Sequence, residues 1–184
     1  MKLGIISDTH GNLAGWQRAW EVALAHTDLI IHCGDLLYHG PKFAPAPGYD
    51  PKGLAAALNA CAVPLIVVRG NADADVDQLV LEFPAGQRLA LVRMDGVQLL
   101  VAHGDSPSAD ELARSAARWG VQYVLTGHLH VPSVRTHEGV TLLNPGTPTY
   151  PLATEDHLRR ATCATIADGV ITFYDLEAGG PLRV

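Results

Sequence analysis

Short apolar runs alternate with amphipathic stretches in the first third of the chain, and with tight turns further on. Lys2–Ser7 reads as a strand, and Asn12–His26 as a helix with Trp16, Ala19, Trp20, Ala23 and Leu24 on one side. Leu29–Cys33 predicts a second strand, Pro51–Ala60 a helix and Leu65–Arg69 a third strand. These three runs are almost continuously apolar, the pattern of parallel strands covered on both faces. Leu89–Met94 and Val97–Ala102 flank Asp95-Gly96, a hairpin signal. A helix follows from Ser108, where Ser-Ala-Asp-Glu fits a capping box. Val121–Thr126 predicts a further strand, with hairpins around Glu138-Gly139 and Asp168-Gly169. Crossovers first and hairpins later imply an α/β fold of two mixed sheets packed together, with helices outside. Gly40–Pro51 holds four prolines, which exclude a helix or central strand and leave a stiff loop, a lid or a rim. Nothing divides the chain, so residues 1–184 are expected to form one domain.

Composition narrows the function by exclusion. Thirteen Lys and Arg against nineteen Asp and Glu give a net charge of −6. A nucleic-acid binder needs a basic stripe, and no such surface is evident. No apolar run approaches the roughly 20 residues of a membrane helix. The start, MKLGIISD, meets an acid too early for a signal peptide. Three cysteines, an odd number, fit free thiols in a reducing, cytoplasmic setting. The unusual feature is nine histidines, three times the number of phenylalanines.

Their placement carries the chemistry. Five apolar runs end in Asp8-Thr9-His10, Gly34-Asp35, Gly70-Asn71, His103-Gly104 and Gly127-His128-Leu129-His130. The carboxyl edge of a sheet is where α/β folds bind ligands. The set Asp8, His10, Asp35, Asn71, His103, His128 and His130 is too large for one tetrahedral ion and suits two ions sharing a bridge. With no thiolate in the set, Mn, Fe, Zn, Ni and Co all remain open. Two divalent ions against Asp8, Asp35 and one hydroxide leave about +1, which attracts an anionic phosphate ester and supports in-line attack on it. A neutral Asn71 preserves that charge.

In this order the motifs resemble the calcineurin-like metallophosphoesterase superfamily, and more narrowly its small bacterial YfcE-type phosphodiesterases. The resemblance runs through GDLLYHGPK (Gly34–Lys42), PGYDP (Pro47–Pro51), RGNADADVDQ (Arg69–Gln78) and NPGT (Asn144–Thr147). It implies a four-layer αββα sandwich and a phosphodiesterase that uses a hydroxide bridging two metal ions, typically manganese, on a small-molecule phosphate diester. By motif position, Asp8, His10 and His130 would hold one ion, Asn71, His103 and His128 the other, and Asp35 would bridge them. Asp35, Asn71 and His128 are then the expected catalytic residues, with Asn71 and His39 contacting substrate.

Two positions depart from the family pattern. Ala72 stands where many members have a proton-donating histidine and the YfcE-type proteins a cysteine; Asp105 stands where a second histidine is frequent. Alanine cannot protonate a leaving oxygen, so the acid is absent or comes from His39, Asp73 or Asp105. Two alternatives share the fold: a non-catalytic interaction scaffold similar to a eukaryotic retromer subunit, and a phosphomonoesterase or cyclic-nucleotide hydrolase. A homo-oligomer is also compatible with the sequence. The bland readings are a core histidine for His32, exposed His26, His137 and His157, packing for Trp16 and Trp20, an ion pair or phosphate contact for Arg69, a wall for Asn144–Thr147, and core roles for Cys33, Cys61 and Cys163.

Overall fold

Alternation within single strands builds the layers. The computed structural model describes residues 1–184. Eleven strands lie in chain order: β1 (Lys2–Ile6), β2 (Leu29–His32), β3 (Leu65–Val67), β4 (Leu89–Met94), β5 (Val97–Ala102), β6 (Tyr123–Leu125), β7 (Pro132–His137), β8 (Val140–Pro145), β9 (Thr162–Ala167), β10 (Val170–Asp175) and β11 (Gly180–Leu182). In β1, Leu3 and Ile5 point into one cluster with Leu29 and Ile31 of β2, while Ile6 and Ile30 point into another. In β5, Leu99 and Val101 join the first cluster, and Leu100 and Ala102 a third. Side chains of period two thus serve two cores from each central strand.

One sheet has the order β11-β10-β9-β1-β2-β3, and the other β4-β5-β6-β8-β7. Both are mixed. β1, β2 and β3 pair in parallel, as do β5, β6 and β8, while hairpin partners run antiparallel. The shared cluster fills the space between the sheets. Helices α1 (Leu13–Ala19) and α2 (Pro51–Asn59) cover the six-stranded sheet through Trp16, Ala19, Leu54 and Leu58. Helix α3 (Ala109–Arg118) covers the other through Leu112, Ala113 and Ala116. This is the expected αββα sandwich.

The expected capping box opens α3: Ser108 Oγ accepts from Glu111 N, and Glu111 accepts from Ser108 N. The expected helix over Asn12–His26 is corrected in form. It changes after Ala19 to a π turn over Trp20–Leu24, with Ala25 N donating to Trp20 O at 3.1 Å. The wider turn brings both Ala23 and Leu24 into the core. Strand β11 and a 3₁₀ turn at Asp75–Leu79 have no counterpart in the apolar pattern. The hairpin residues Asp95, Glu138 and Asp168 all have positive φ, each followed by a glycine of the same hand.

The proline-rich loop is a pinned rim. Leu13 N donates to Gly48 O, and Asp50 N to Gly11 O, fastening the loop to the turn after His10. Tyr150 Oη donates to Ala44 O at 2.8 Å and accepts from Ala46 N at 3.1 Å.

Candidate metal centre

All five motif-bearing loops meet at the same end of the sandwich. Backbone bonds lock them together: Asp8 N to Gly34 O, His10 N to Asp35 O, and Gly127 N to His103 O, each 2.8–3.0 Å. Gly34 is required here, because at φ +100° a Cβ would lie 2.6 Å from Gly70 N and 2.9 Å from His103 Nδ1.

Eight non-glycine residues have positive φ, and five of them are Asp8, His10, Asp35, His128 and His130. The left-handed conformation costs such residues of order 1–3 kcal/mol each, and strain of this kind concentrates at functional sites. The other three are hairpin turns, where the conformation is ordinary.

Asp8, His10 and His130 form one trio, and Asp8, Asp35 and His103 another; within each, the ligand atoms lie within 4.8 Å of one another, and all five residues are buried. Asp8 Oδ1 lies 3.2 Å from His130 Nε2 and 3.9 Å from His103 Nε2. Asp35 Oδ2 lies 3.3 Å from His103 Nε2 and 3.7 Å from His10 Nε2. Both carboxylates therefore stand between the two halves. Three imidazoles are oriented alike: the Nδ1–H of His10 donates to Tyr38 O (2.7 Å), that of His103 to Cys33 O (2.8 Å), and that of His130 to Tyr150 O (2.8 Å). A carbonyl can only accept, so each ring is fixed by its Nδ1–H and turns its Nε2 toward the carboxylates. Ligating histidines are held this way by their outer partners.

The electrostatics call for positive charge. Burial pushes the His103 pKa down, but the hydrogen bond to Asp35 and the charges of Asp8 and Asp35 outweigh it and raise it to about 9. His130 is raised too, its contact with Asp8 overcoming burial. Burial pushes the Asp8 carboxyl up, yet its contacts with His130 and His103 hold it below the usual carboxylate range. His10 is lowered, chiefly by burial. Without an ion, a proton on His103 offsets part of the carboxylate charge; a divalent ion would displace it. The N/O donor set thus fits intermediate divalent metals.

Asn71 and His128 lie further out, both exposed. Asn71 Oδ1 is 3.2 Å from His103 Nε2. The His128 ring meets that of His103 edge-on at 5.2 Å, outside both trios, while its amide donates to Asp8 Oδ2 at 3.0 Å. With His39 and Ala72 they line a cavity of about 250 Å³ over the carboxylates, walled by Lys42 and Phe43 of the rim loop.

Other expected residues take structural parts. Asp73 is buried, its carboxylate accepting from Asp35 N (2.8 Å), Leu36 N (2.6 Å) and Gly70 N (2.8 Å). Burial pushes its pKa up to about 6 against those amides. It faces away from the cavity and joins the Asp35 loop to the Asn71 loop. Asp105 pairs with Arg88 at 3.6 Å and does not line the cavity. Arg69 pairs with Asp75. Asn144 Nδ2 donates to Gly127 O and Thr147 Oγ1 to Asp8 O, so this wall segment braces the ligand loops. His32 is fully buried; Gly34 N donates to its Nδ1, so its Nε2–H donates to Thr9 Oγ1 at 3.0 Å. His26 and His157 are exposed, and His137 is half-buried. Trp16 and Trp20 pack together at 6.4 Å. The cysteines are free, with Cys61 only half-buried. The sequence reading missed Tyr150, which stacks on Phe43 (4.3 Å, 8°), orients His130 and clamps the rim. A tyrosine just after the NPGT segment is its only local sign.

A two-layered sheet core with buried Asp and His trios at its loop end defines a class, and the comparisons agree with it. The model of the calcineurin-like phosphoesterase superfamily domain matches residues 1–168, and the chain belongs to that family of phosphate-ester hydrolases. It is 34% identical to phosphodiesterase YfcE of Escherichia coli over 152 residues, 82% of this chain and 81% of that one. The solved structure of that E. coli phosphoesterase superposes with TM-score 0.83 and 27% identity, covering 100% of this chain and 97% of the other. A phosphodiesterase of Methanocaldococcus jannaschii is 28% identical over 79% of this chain and 83% of its own. Vacuolar protein sorting 29 of Cryptosporidium parvum shares the fold at TM-score 0.69 and 18% identity, covering 98% of this chain and 93% of the other. No helix is long and apolar enough to cross a membrane.

Proposed function

We propose that the chain is a single-domain, metal-dependent phosphodiesterase acting on small-molecule phosphate diesters. The supporting observation is the convergence of Asp8, His10, Asp35, His103 and His130, with three Nε2 atoms turned toward two buried carboxylates. Asp8, His10 and His130 would hold one divalent ion and Asn71, His103 and His128 the other, with Asp35 between them. Two such ions, manganese first among the candidates, would supply a shared hydroxide nucleophile and the charge that draws an anionic diester.

The chain's own groups supply position. Asp35 is held by its amide on Asp73, while its Oδ1 accepts from Ala72 N at 2.7 Å, which fixes the carboxylate plane. Asn71 presents a neutral amide to a non-bridging phosphate oxygen, adding no negative charge. His128 stands at the cavity mouth beside His103. Free, largely buried thiols accord with a cytoplasmic setting.

Purified protein with manganese is expected to hydrolyse bis-p-nitrophenyl phosphate, and Asp35→Asn or His128→Ala to abolish turnover. Full activity in both variants would overturn the reading. Ala72, which carries no proton, favours a scaffold as the second reading. Stable partner capture with no turnover under any divalent metal would establish it. Comparing monoesters, diesters and cyclic nucleotides tests the substrate class.

A further inference from the structure

We infer that His39 donates the proton to the departing oxygen, the part that Ala72 cannot play. The inference rests on the phosphodiesterase reading and adds a catalytic residue to it. His39 and Ala72 line the same cavity as Asp35 and Asn71. The Nδ1–H of His39 donates to Gly40 O at 2.6 Å, which leaves Nε2 as the free ring nitrogen. Tyr38 at 4.8 Å and Tyr49 at 5.2 Å, the latter edge-on, fix the plane of the ring.

The other imidazoles and the carboxyl candidates are otherwise engaged. His10, His103 and His130 direct Nε2 to the carboxylates, and His128 stands against His103. Asp73 spends both oxygens on three amides, and Asp105 lies off the cavity. Lys42 lies over the Phe43 ring, 5.3 Å from its centroid, as a rim cation. His39 is the one cavity imidazole outside the ligand set.

In the step, the hydroxide oxygen bonds to phosphorus while the opposite P–O bond breaks, its electron pair staying on the departing oxygen. The Nε2–H of the His39 imidazolium transfers its proton to that oxygen. The products are a phosphomonoester and an alcohol, and the neutral imidazole regains its proton from water.

The test is the leaving-group dependence of turnover over bis-aryl phosphates, from 4-nitrophenol to unsubstituted phenol. General-acid contributions of about 10²–10⁴-fold predict that His39→Gln loses roughly threefold on the nitrophenyl ester and roughly 100-fold on the phenyl ester. Ala72→His in the His39→Gln background should restore the shallow dependence, because position 72 lies on the same cavity. Manganese content should stay at its wild-type level in His39→Gln, since His39 is outside the ligand set. Long-range 1H–15N correlation should show the neutral His39 ring protonated on Nδ1. A uniform loss across the series, an unchanged dependence, or an Nε2–H ring would overturn the proposal while leaving the phosphodiesterase reading intact. Absence of wild-type turnover on every ester would overturn both.

Discussion

Asp73→Ala removes the carboxylate that ties the Asp35 loop to the Asn71 loop. Three buried amides, those of Asp35, Leu36 and Gly70, lose an acceptor at 2.6–2.8 Å. A hydrogen bond to a charged group is worth about 1.5–3 kcal/mol, and an orphaned buried donor costs about 1–3 kcal/mol. Asp73 also lines a neighbouring cavity of about 260 Å³, so water can enter and recover part of that loss. The net expectation is about 3–5 kcal/mol, a large share of a typical stability of about 5–15 kcal/mol. For a chain of this size that is a fall of roughly 10 °C in melting temperature. Asp73→Asn keeps one acceptor oxygen and should lose about half as much. Because the same bonds place Asp35, kcat on bis-p-nitrophenyl phosphate should fall about 100-fold. Thermal melts and initial rates on wild type and both variants decide the matter. A melting point within about 3 °C of wild type, with undiminished kcat, would refute the positioning role.

Three further outcomes follow from the same geometry. Burial lowers the His32 pKa from 6.5 to about 4, so the unfolded chain binds the proton first as the pH falls. Stability is therefore intact above about pH 6.5, and about 3 kcal/mol of it is lost on descending to pH 4; urea titrations of metal-free protein should show His32→Gln lacking that portion of the slope. Gly127→Ala would place a Cβ 1.9 Å from Ser7 Oγ and 2.6 Å from Asp8 Oδ2, whereas Gly86→Ala meets nothing within 4 Å. Denaturation should show about 3 kcal/mol lost at Gly127 and within about 0.5 kcal/mol of no change at Gly86. Tyr150→Phe keeps the Phe43 stack but loses the clamp on Ala44 and Ala46, so limited proteolysis within residues 40–48 should quicken and KM rise about fivefold with kcat nearly constant. Unchanged cleavage would remove the clamp from the account.

Local signatures explain what could be read from the sequence. Asp95-Gly96, Glu138-Gly139 and Asp168-Gly169 announced their hairpins because positive φ restricts residue choice, and the box at Ser108 is written in four consecutive residues. The order of strands was not legible, since the β1–β9 pairing joins residues more than 150 positions apart. Nor was the π turn, because the spacing of Trp16, Ala19, Ala23 and Leu24 does not distinguish its wider ring from an α-helix. Each ligand motif was visible where a strand met its loop. The bracing of those motifs by Asp73 and Thr147, and of the rim by Tyr150, depends on side chains reaching backbone groups far away in sequence, which leaves no local pattern. Asp73 read as an acid candidate for that reason, and only its three amide partners reveal its structural part.

Two ions held at the loop end of the sandwich are the central claim. Equilibrium dialysis of the metal-free chain against manganese measures this directly. Two ions per chain in the wild type, and one or fewer in Asp35→Asn, is the predicted result. A saturating stoichiometry of one or none in the wild type would contradict it.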